Sequence, residues 1–361
     1  MNLGSDGRRS GRRRTGTTSM RGSPATIREV ALRAGVSTAT VSRVLAGLGK
    51  PRPDTAAAVM AAVEELGYRP SGIARSLRMR RTRTFGLIVT DIQNPFFPEL
   101  VQTADDVARA MGYSILLGSA AYDEQRAMHY LALMADRRVD GLIIASSQIS
   151  AESSRWLADS PIPVVIINAE PGDLPVTVIT SDNEGGSRMA VEHLVSLGHR
   201  RIACVSGHET FSAGPPRMAG FRAGCLAAGI DPDEMPIYQG NGQVDGGERA
   251  ARQLLADRAG VTAVACYNDM TAIGVLRAFR AGGLHVPQDI SVVGCDDIAA
   301  ASWVAPALTT TAQQKAEMGR MAVEHLAAIL DEPDLPPEVI HLPMLLRIRE
   351  STGPAKAGSD R

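Results

Sequence analysis

The sequence predicts an α/β protein in two parts: an N-terminal all-α helix-turn-helix headpiece, then a two-lobed body made of two parallel-sheet α/β subdomains. Three observations lead there. Between Thr26 and Leu45, two short amphipathic stretches are broken by one glycine, Gly35. From Thr84 onward, short apolar runs alternate with helical stretches, most of them at the roughly 20–35-residue spacing of a strand–helix unit, which favours parallel sheets covered by helices. Charge divides at the same place. Residues 1–83 carry 16 Arg and one Lys against two Asp and three Glu, a balance of +12, so the net −1 of the whole chain leaves −13 for the remainder.

In the headpiece, Thr26 and Glu29 have capping-box spacing, so the first helix starts at Ile27. Ile27, Val30, Ala31 and Ala34 share one face. Gly35 supplies the left-handed residue that ends this helix, Val36 fills the corner, and Ser37 caps the next helix. Val41, Val44 and Leu45 then face inward, leaving Thr38, Ala39, Thr40, Ser42 and Arg43 outside. That outer face suits the major groove of DNA, although an ordinary helical hairpin has the same geometry. The basic balance favours a polyanion and salt-sensitive binding, while the run Arg8–Arg14 alone reads as a solvated charge cluster. A third helix is expected from near Asp54 to Gly67, burying Val59, Ala62, Val63 and Leu66.

The domain boundaries follow from composition. Residues 1–24, rich in Gly, Ser, Arg and Thr, read as a disordered basic arm in which Met20 is an alternative start. The headpiece spans 25–70, and residues 71–83 form a hinge in which Ile73 and Leu77 share a face if helical. That segment is shorter than the roughly 12–15 residues an isolated helix needs, so it is expected to order only against a partner copy and DNA; a plain charged linker is the alternative. Strands are expected at Phe85–Thr90, Tyr113–Leu117, Gly141–Ala145, Val164–Asn168, Val176–Thr180, Arg201–Ser206, Thr262–Tyr267 and Ile290–Cys295. These are too many for one such sheet, and the pattern restarts after Thr180, so two lobes are the natural solution. The repeat of Met189–Leu194 as Met321–Leu326 is a weak internal echo. Residues 351–361 are expected to be a disordered tail.

Several classes are excluded. No apolar run approaches the roughly 18 residues that span a bilayer, and no apolar h-region follows the N-terminal arginines, so a cytoplasmic protein is expected. Cys204, Cys225, Cys266 and Cys295 are scattered and read as reduced core thiols, with no metal-ligand spacing. No GxGxxG follows a strand, Gly47–Lys50 only superficially suggests a phosphate loop, and neither a catalytic triad nor paired carboxylates stand out. No cofactor, metal or catalytic residue is expected: the chain reads as a binder, not an enzyme.

Residues from about 25 to 350 resemble the LacI/GalR family of transcription regulators. The matching motifs are Ala25–Ala31 (ATIREVA) and Gly35–Val44 (GVSTATVSRV) in the headpiece, and Leu66–Ser71 (LGYRPS) with Ala74–Leu77 (ARSL) in the hinge. In the body they are Gly86–Val89, Asn94–Phe97 (NPFF), Arg138–Gly141, Gly198–Arg200, Asn268-Asp269, Gly294–Asp297 (GCDD) and Pro306–Thr310. The resemblance implies a periplasmic-binding-protein-like body over 84–350, with an N-lobe of about 84–182 and 314–341 and a C-lobe of about 183–313 and 342–350. It implies that Thr38, Ala39 and Arg43 face base edges, with Arg43 the most specific reader because arginine can bond guanine O6 and N7 together. Thr26, Ser37, Thr40 and Ser42 would hold phosphates, Leu77 would wedge into the minor groove, and Arg78 would sit beside it. A homodimer on near-palindromic double-stranded DNA follows.

The same resemblance places a small-molecule effector, a sugar or nucleoside, against Asn94, Phe96, Phe97, Asn168, Phe211, Arg217, Asn268, Asp296 and Gln313. Aromatic faces would stack on the ring and polar groups would bond hydroxyls, unless Phe96 and Phe97 serve only as core. Asn168-Ala169 replaces an Asp-Arg pair common in the family's sugar binders, removing a strong hydroxyl clamp. Phe211 stands where the purine-responsive member has an arginine, which argues against a charged or purine-like effector. The function implied is sequence-specific repression of carbohydrate-utilisation genes under a sugar-like effector. A co-repressed or activating regulator responding to a nucleoside or other small metabolite would use the same parts.

Overall fold

The computed structural model describes residues 25–45, 51–68, 81–146, 148–169 and 174–356. The basic arm and residues 71–80 of the expected hinge, with Leu77 and Arg78, lie outside the described residues. The chain divides between residues 80 and 81 into two compact units.

In the first unit, α1 (Ile27–Arg33), α2 (Thr38–Leu45) and α3 (Pro53–Glu65) enclose a small core of Val30, Ala31, Val41, Val59 and Ala62. The capping box forms as expected: the Glu29 N–H donates to Thr26 Oγ1, and the Glu29 carboxylate accepts from the Thr26 N–H at 2.7 Å. These bonds hold the Glu29 carboxyl below its usual pKa. Gly35 turns the corner at φ +64°, a conformation costly for any residue with a Cβ. Val36 closes the turn with a bond to the Ala31 carbonyl.

The second unit contains two six-stranded sheets, among the described residues. The first is built from β1 (Thr84–Val89), β2 (Ser114–Ser119), β3 (Gly141–Ala145), β4 (Val164–Ile167), β5 (Thr177–Ser181) and β11 (Val339–Leu342). Its order is β11-β5-β4-β3-β1-β2, all parallel. Helices α4 (Phe96–Ala110), α5 (Glu124–Asp136), α6 (Ala151–Asp159) and α11 (Lys315–Asp331) belong to this lobe. The second sheet joins β6 (Ile202–Ser206), β7 (Ile237–Gln239), β8 (Ala263–Cys266), β9 (Ser291–Asp296), β10 (Thr309–Ala312) and β12 (Leu345–Arg347) in the order β12-β10-β9-β8-β6-β7. Only β12 in this sheet runs antiparallel to its neighbour. Its helices are α7 (Asn183–Ser196), α8 (Gly214–Ala227), α9 (Val244–Asp257) and α10 (Asp269–Ala281). The chain passes between lobes three times, after β5, after β10 and between β11 and β12. All four cysteines are buried and free.

All eight expected strands are present. The sequence missed β7, β10, β11 and β12 for a physical reason: three of them are three- or four-residue edge pieces with exposed positions, and β10 is Thr-rich rather than apolar. Two boundaries are corrected. Arg81–Arg83, expected in the hinge, are fastened to the body: the Thr82 and Arg83 N–H groups both donate to the Asp140 carboxylate at 2.7 Å, and Arg81 donates to the Leu330 carbonyl. Residues 351–356, expected in a disordered tail, are docked. Ser351 is fully buried, accepting from the Thr309 N–H at 2.8 Å and donating to the Val292 carbonyl at 2.6 Å.

His199 secures the same tail. It is buried, one ring nitrogen pairs with Thr262 Oγ1 at 2.8 Å, and the other lies 3.0 Å from both Ser291 Oγ and the Gly353 carbonyl. A carbonyl only accepts, so Nε2 carries a proton towards Gly353. Burial, reinforced by nearby His193 against the Gly353 bond, lowers the His199 pKa. The folded value then lies below the unfolded one, so this stabilisation is complete above about pH 6.5 and is lost as pH falls below it. The unfolding midpoint is expected to drop between about pH 7 and about pH 5, with a shallower slope in His199→Gln, as read by pH-resolved thermal melts; equal slopes would show that His199 is not the titrating group.

Candidate DNA-reading helix and inter-lobe cleft

On α2, Thr38, Ala39 and Arg43 are exposed and Thr40 and Ser42 half-buried, so all five keep some access to solvent. Ser37 Oγ accepts from the Thr40 N–H at 3.1 Å and pairs with Thr40 Oγ1 at 2.9 Å, fixing the start of the helix. The Arg43 stem lies along its own helix, with Nε 3.4 Å from the Ala39 carbonyl. Thr26, expected at a phosphate, donates its hydroxyl to Glu29 at 3.0 Å as part of the capping box.

All nine residues expected at the effector line one cleft of about 60 Å³ in the body. The topology explains why. In parallel sheets every strand delivers its following loop to the same edge, and ligands sit beyond the carboxyl ends. Asn94, Phe96 and Phe97 follow β1, Asn168 follows β4, Phe211 and Arg217 follow β6, and Asn268 follows β8. Asp296 ends β9 and Gln313 follows β10. Sequence reasoning missed Tyr122 after β2, Ser146 after β3, and Ala213, Gly242 and Tyr267. Aromatic scarcity was the usable signal: the chain has six Phe, six Tyr and two Trp, and five of these rings converge here.

The rings form two groups. Phe96 and Phe97 meet edge-on at 5.2 Å, and they line the cleft while belonging to the main core. Phe211 lies 5.7 Å from Tyr122 and 5.8 Å from Tyr267. Arg217 sits over Tyr267 at 4.7 Å, a cation–π contact strengthened by burial. Burial raises the pKa of both tyrosines, which keeps them neutral donors.

The polar groups form a chain. Arg217 Nη2 reaches Asp296 Oδ1 at 3.3 Å, Arg217 Nε donates to Asn183 Oδ1 at 2.9 Å, and Arg217 Nη1 donates to the Tyr267 carbonyl. Burial opposes the guanidinium charge, but Cys295, Asp296 and Tyr267 hold its pKa above the ordinary arginine value. Gln313 Nε2 donates to the same Asp296 oxygen at 2.6 Å. Gln313 Oε1 accepts from Asn168 Nδ2 at 3.1 Å and from Ser181 Oγ at 2.8 Å. Asn168 adopts φ +59°, and its Oδ1 is buried with no hydrogen-bond partner. Asn268 lines the cleft but is largely used as a cap, accepting from Thr271 at 2.9 and 2.8 Å and donating to the Gly242 carbonyl at 3.0 Å.

Lys315 adds a clamp absent from the expected set. This buried lysine of the first lobe donates to the backbone carbonyls of Asp296 and Asp297 in the second, at 2.8 and 2.9 Å, and pairs with Glu99 at 3.3 Å. Asp296 and Asp297 have φ +117° and +54°, a strained turn that the clamp holds in place. Tyr122 Oη accepts from Gln243 at 3.0 Å, Thr210 Oγ1 donates to Gln148 at 2.7 Å, and Ser212 Oγ donates to the Asn168 carbonyl at 3.1 Å. Each joins the two lobes.

Among the described residues, no helix is long and apolar enough to cross a membrane, and no His, Cys, Asp and Glu cluster is arranged to hold a metal. Residues 26–71 match the family model for bacterial regulatory proteins of the lacI family, and residues 191–352 match a periplasmic binding protein-like domain. The HTH-type transcriptional repressor PurR of Photobacterium profundum is 36% identical over 329 residues, covering 91% of this chain and 98% of that protein. The ribose operon repressor of Escherichia coli is also 36% identical, covering 91% of this chain and 99% of that protein. The lac repressor dimer bound to operator and the anti-inducer ONPF has a TM-score of 0.84 at 28% identity, covering 92% of this chain and all of that one. With a helix-turn-helix ahead of a two-lobed binding body, the chain belongs to the LacI family of DNA-binding transcriptional regulators.

Proposed function

We propose that this regulator represses genes for the use of a small neutral polyhydroxyl compound of pentose size, which binds in the inter-lobe cleft. The observation that carries the effector class is Asn168 Oδ1, a buried acceptor without a partner on a residue lining the cleft. A buried polar atom of this kind is costly, and a ligand hydroxyl would satisfy it. The cleft charges already neutralise each other through Arg217 and Asp296, so an uncharged ligand disturbs them least. Similarity to the ribose operon repressor supports the same class. The Tyr122–Phe211–Tyr267 rings and similarity to PurR favour a nucleoside as the second reading, because flat rings suit a base.

Residues 25–68 would read DNA and residues 81–356 would bind the effector. Thr38, Ala39 and Arg43 would face base edges, with Thr26, Ser37, Thr40 and Ser42 on phosphates. Leu77 and Arg78 would serve the minor groove. The protein would act as a cytoplasmic homodimer on a near-palindromic operator, by binding alone. A ligand shifts this equilibrium only by its differential affinity for two lobe arrangements, typically about 1–3 kcal/mol.

Three outcomes test this. Arg43→Ala is expected to cost about 1–3 kcal/mol at one base position and relax preference there, read by binding to a library of operator variants; an unchanged profile removes Arg43 from base reading. Asp296→Asn keeps the shape of the Arg217 pocket while weakening its charge, and should abolish ribose binding in calorimetry while leaving operator binding intact. Retained ribose affinity would misplace the pocket. Lys315→Met removes charged bonds each worth about 1.5–3 kcal/mol and should raise the effector Kd roughly tenfold or more. An unaltered Kd would mean that the clamp does not serve the bound state.

A further inference from the structure

A second cavity, of about 300 Å³, lies inside the second lobe between the sheet and helix α8. It is larger than the cleft and adjoins it at Arg217 and Tyr267. Its floor is the sheet face bearing Cys204, Ala265, Val293 and Cys295, and its roof includes Ala190 and Phe221. These floor residues are short, and their size creates the space. Exposure marks it too: Cys204 and Ala265 are each 8% exposed in mid-sheet, whereas their strand neighbours Ala203, Val205 and Val264 are fully buried. Packed interiors hold few voids larger than a water molecule, and an engineered apolar cavity of roughly 150 Å³ already binds benzene.

The lining sets the ligand class. Burial pushes the Cys204 and Cys295 thiols up to about 12, so they remain neutral, weakly polar surfaces. Arg217, the cation at the inner wall, is occupied by Asn183, Asp296 and the Tyr267 carbonyl. The polar residues His208 and Gln239 and the carboxylate of Glu209 line the exposed mouth. We propose that this cavity is a second binding site, for a compact uncharged aromatic molecule with its ring against Cys204, Ala265 and Val293 and one polar group towards the mouth. Arg217 and Tyr267 line both this cavity and the effector cleft, so an occupant touches the back of the groups that shape the cleft. Occupancy of one site therefore changes the affinity of the other, and the coupling is reciprocal.

The test is calorimetric titration of the full-length chain with p-cresol. One saturable site is expected, weakened at least about tenfold in Ala265→Leu, whose side chain fills the floor. The anionic 4-hydroxybenzoate should bind at least about tenfold more weakly, since Arg217 is already engaged and Glu209 repels it. Saturating p-cresol should shift the ribose Kd by about threefold or more in the parent chain and not in Ala265→Leu. Absence of saturable p-cresol binding, or binding unchanged by the filling substitution, overturns the proposal. An unshifted ribose Kd overturns the coupling. If Ala265→Leu does not fold, Ser187→Leu on the opposite wall replaces it with the same criteria. Binding of p-cresol without any ribose binding upholds this site while removing the pentose reading of the cleft.

Discussion

Asp296 is bound from both of its ends, and the shape of the inter-lobe cleft depends on it. Its carboxylate takes Arg217 and Gln313 from within and beside its own lobe, while its carbonyl takes Lys315 from the other. A buried ion pair of this kind adds little to stability over an apolar equivalent, yet losing one partner leaves an uncompensated charge. Its value here is positional. The left-handed turn at Asp296 and Asp297 is costly on its own and persists because Lys315 and Arg349 hold it, with Arg349 Nη2 2.6 Å from Asp297 Oδ1. In the proposed function, a ligand competing for Asp296 would act on this strained turn tied to both lobes, the kind of element through which a small contact alters an inter-lobe angle.

The DNA-reading unit follows a different economy. Among the described residues its core is five buried side chains, none larger than valine, with partly buried neighbours such as Ile27, Leu66 and Tyr68 around them. Local devices therefore matter more than burial: the Thr26–Glu29 capping box, the left-handed Gly35, and the Ser37–Thr40 bond set the helix ends. The outer face of α2 is left with small side chains and one arginine.

Much of the body's architecture was legible because parallel sheets buried on both faces are written as apolar runs. Phe85–Val89, Leu142–Ala145 and Val164–Ile167 are buried throughout, and no polar residue interrupts them. The edge pieces β7, β11 and β12 carry no such signature, since one side of each faces solvent. The docking of residues 351–356 was equally hidden. Ser351 and Gly353 read as tail residues, and only their bonds to Val292, Ser291 and His199 make them part of the lobe.

By itself the sequence determined what depends on neighbours along the chain: the capped helices, the glycine corner, the order of strands and helices, and the motif residues that the strand ends bring to one edge. Tertiary structure decided what depends on residues far apart. The orphaned acceptor of Asn168 exists because Gln313, 145 positions away, takes its amide and nothing takes its oxygen. Lys315 reads as an ordinary helix-start lysine until the other lobe places two carbonyls on it. Spacing along a chain specifies local conformation, whereas the solvation and partnering of a buried group are set by whatever folding brings beside it.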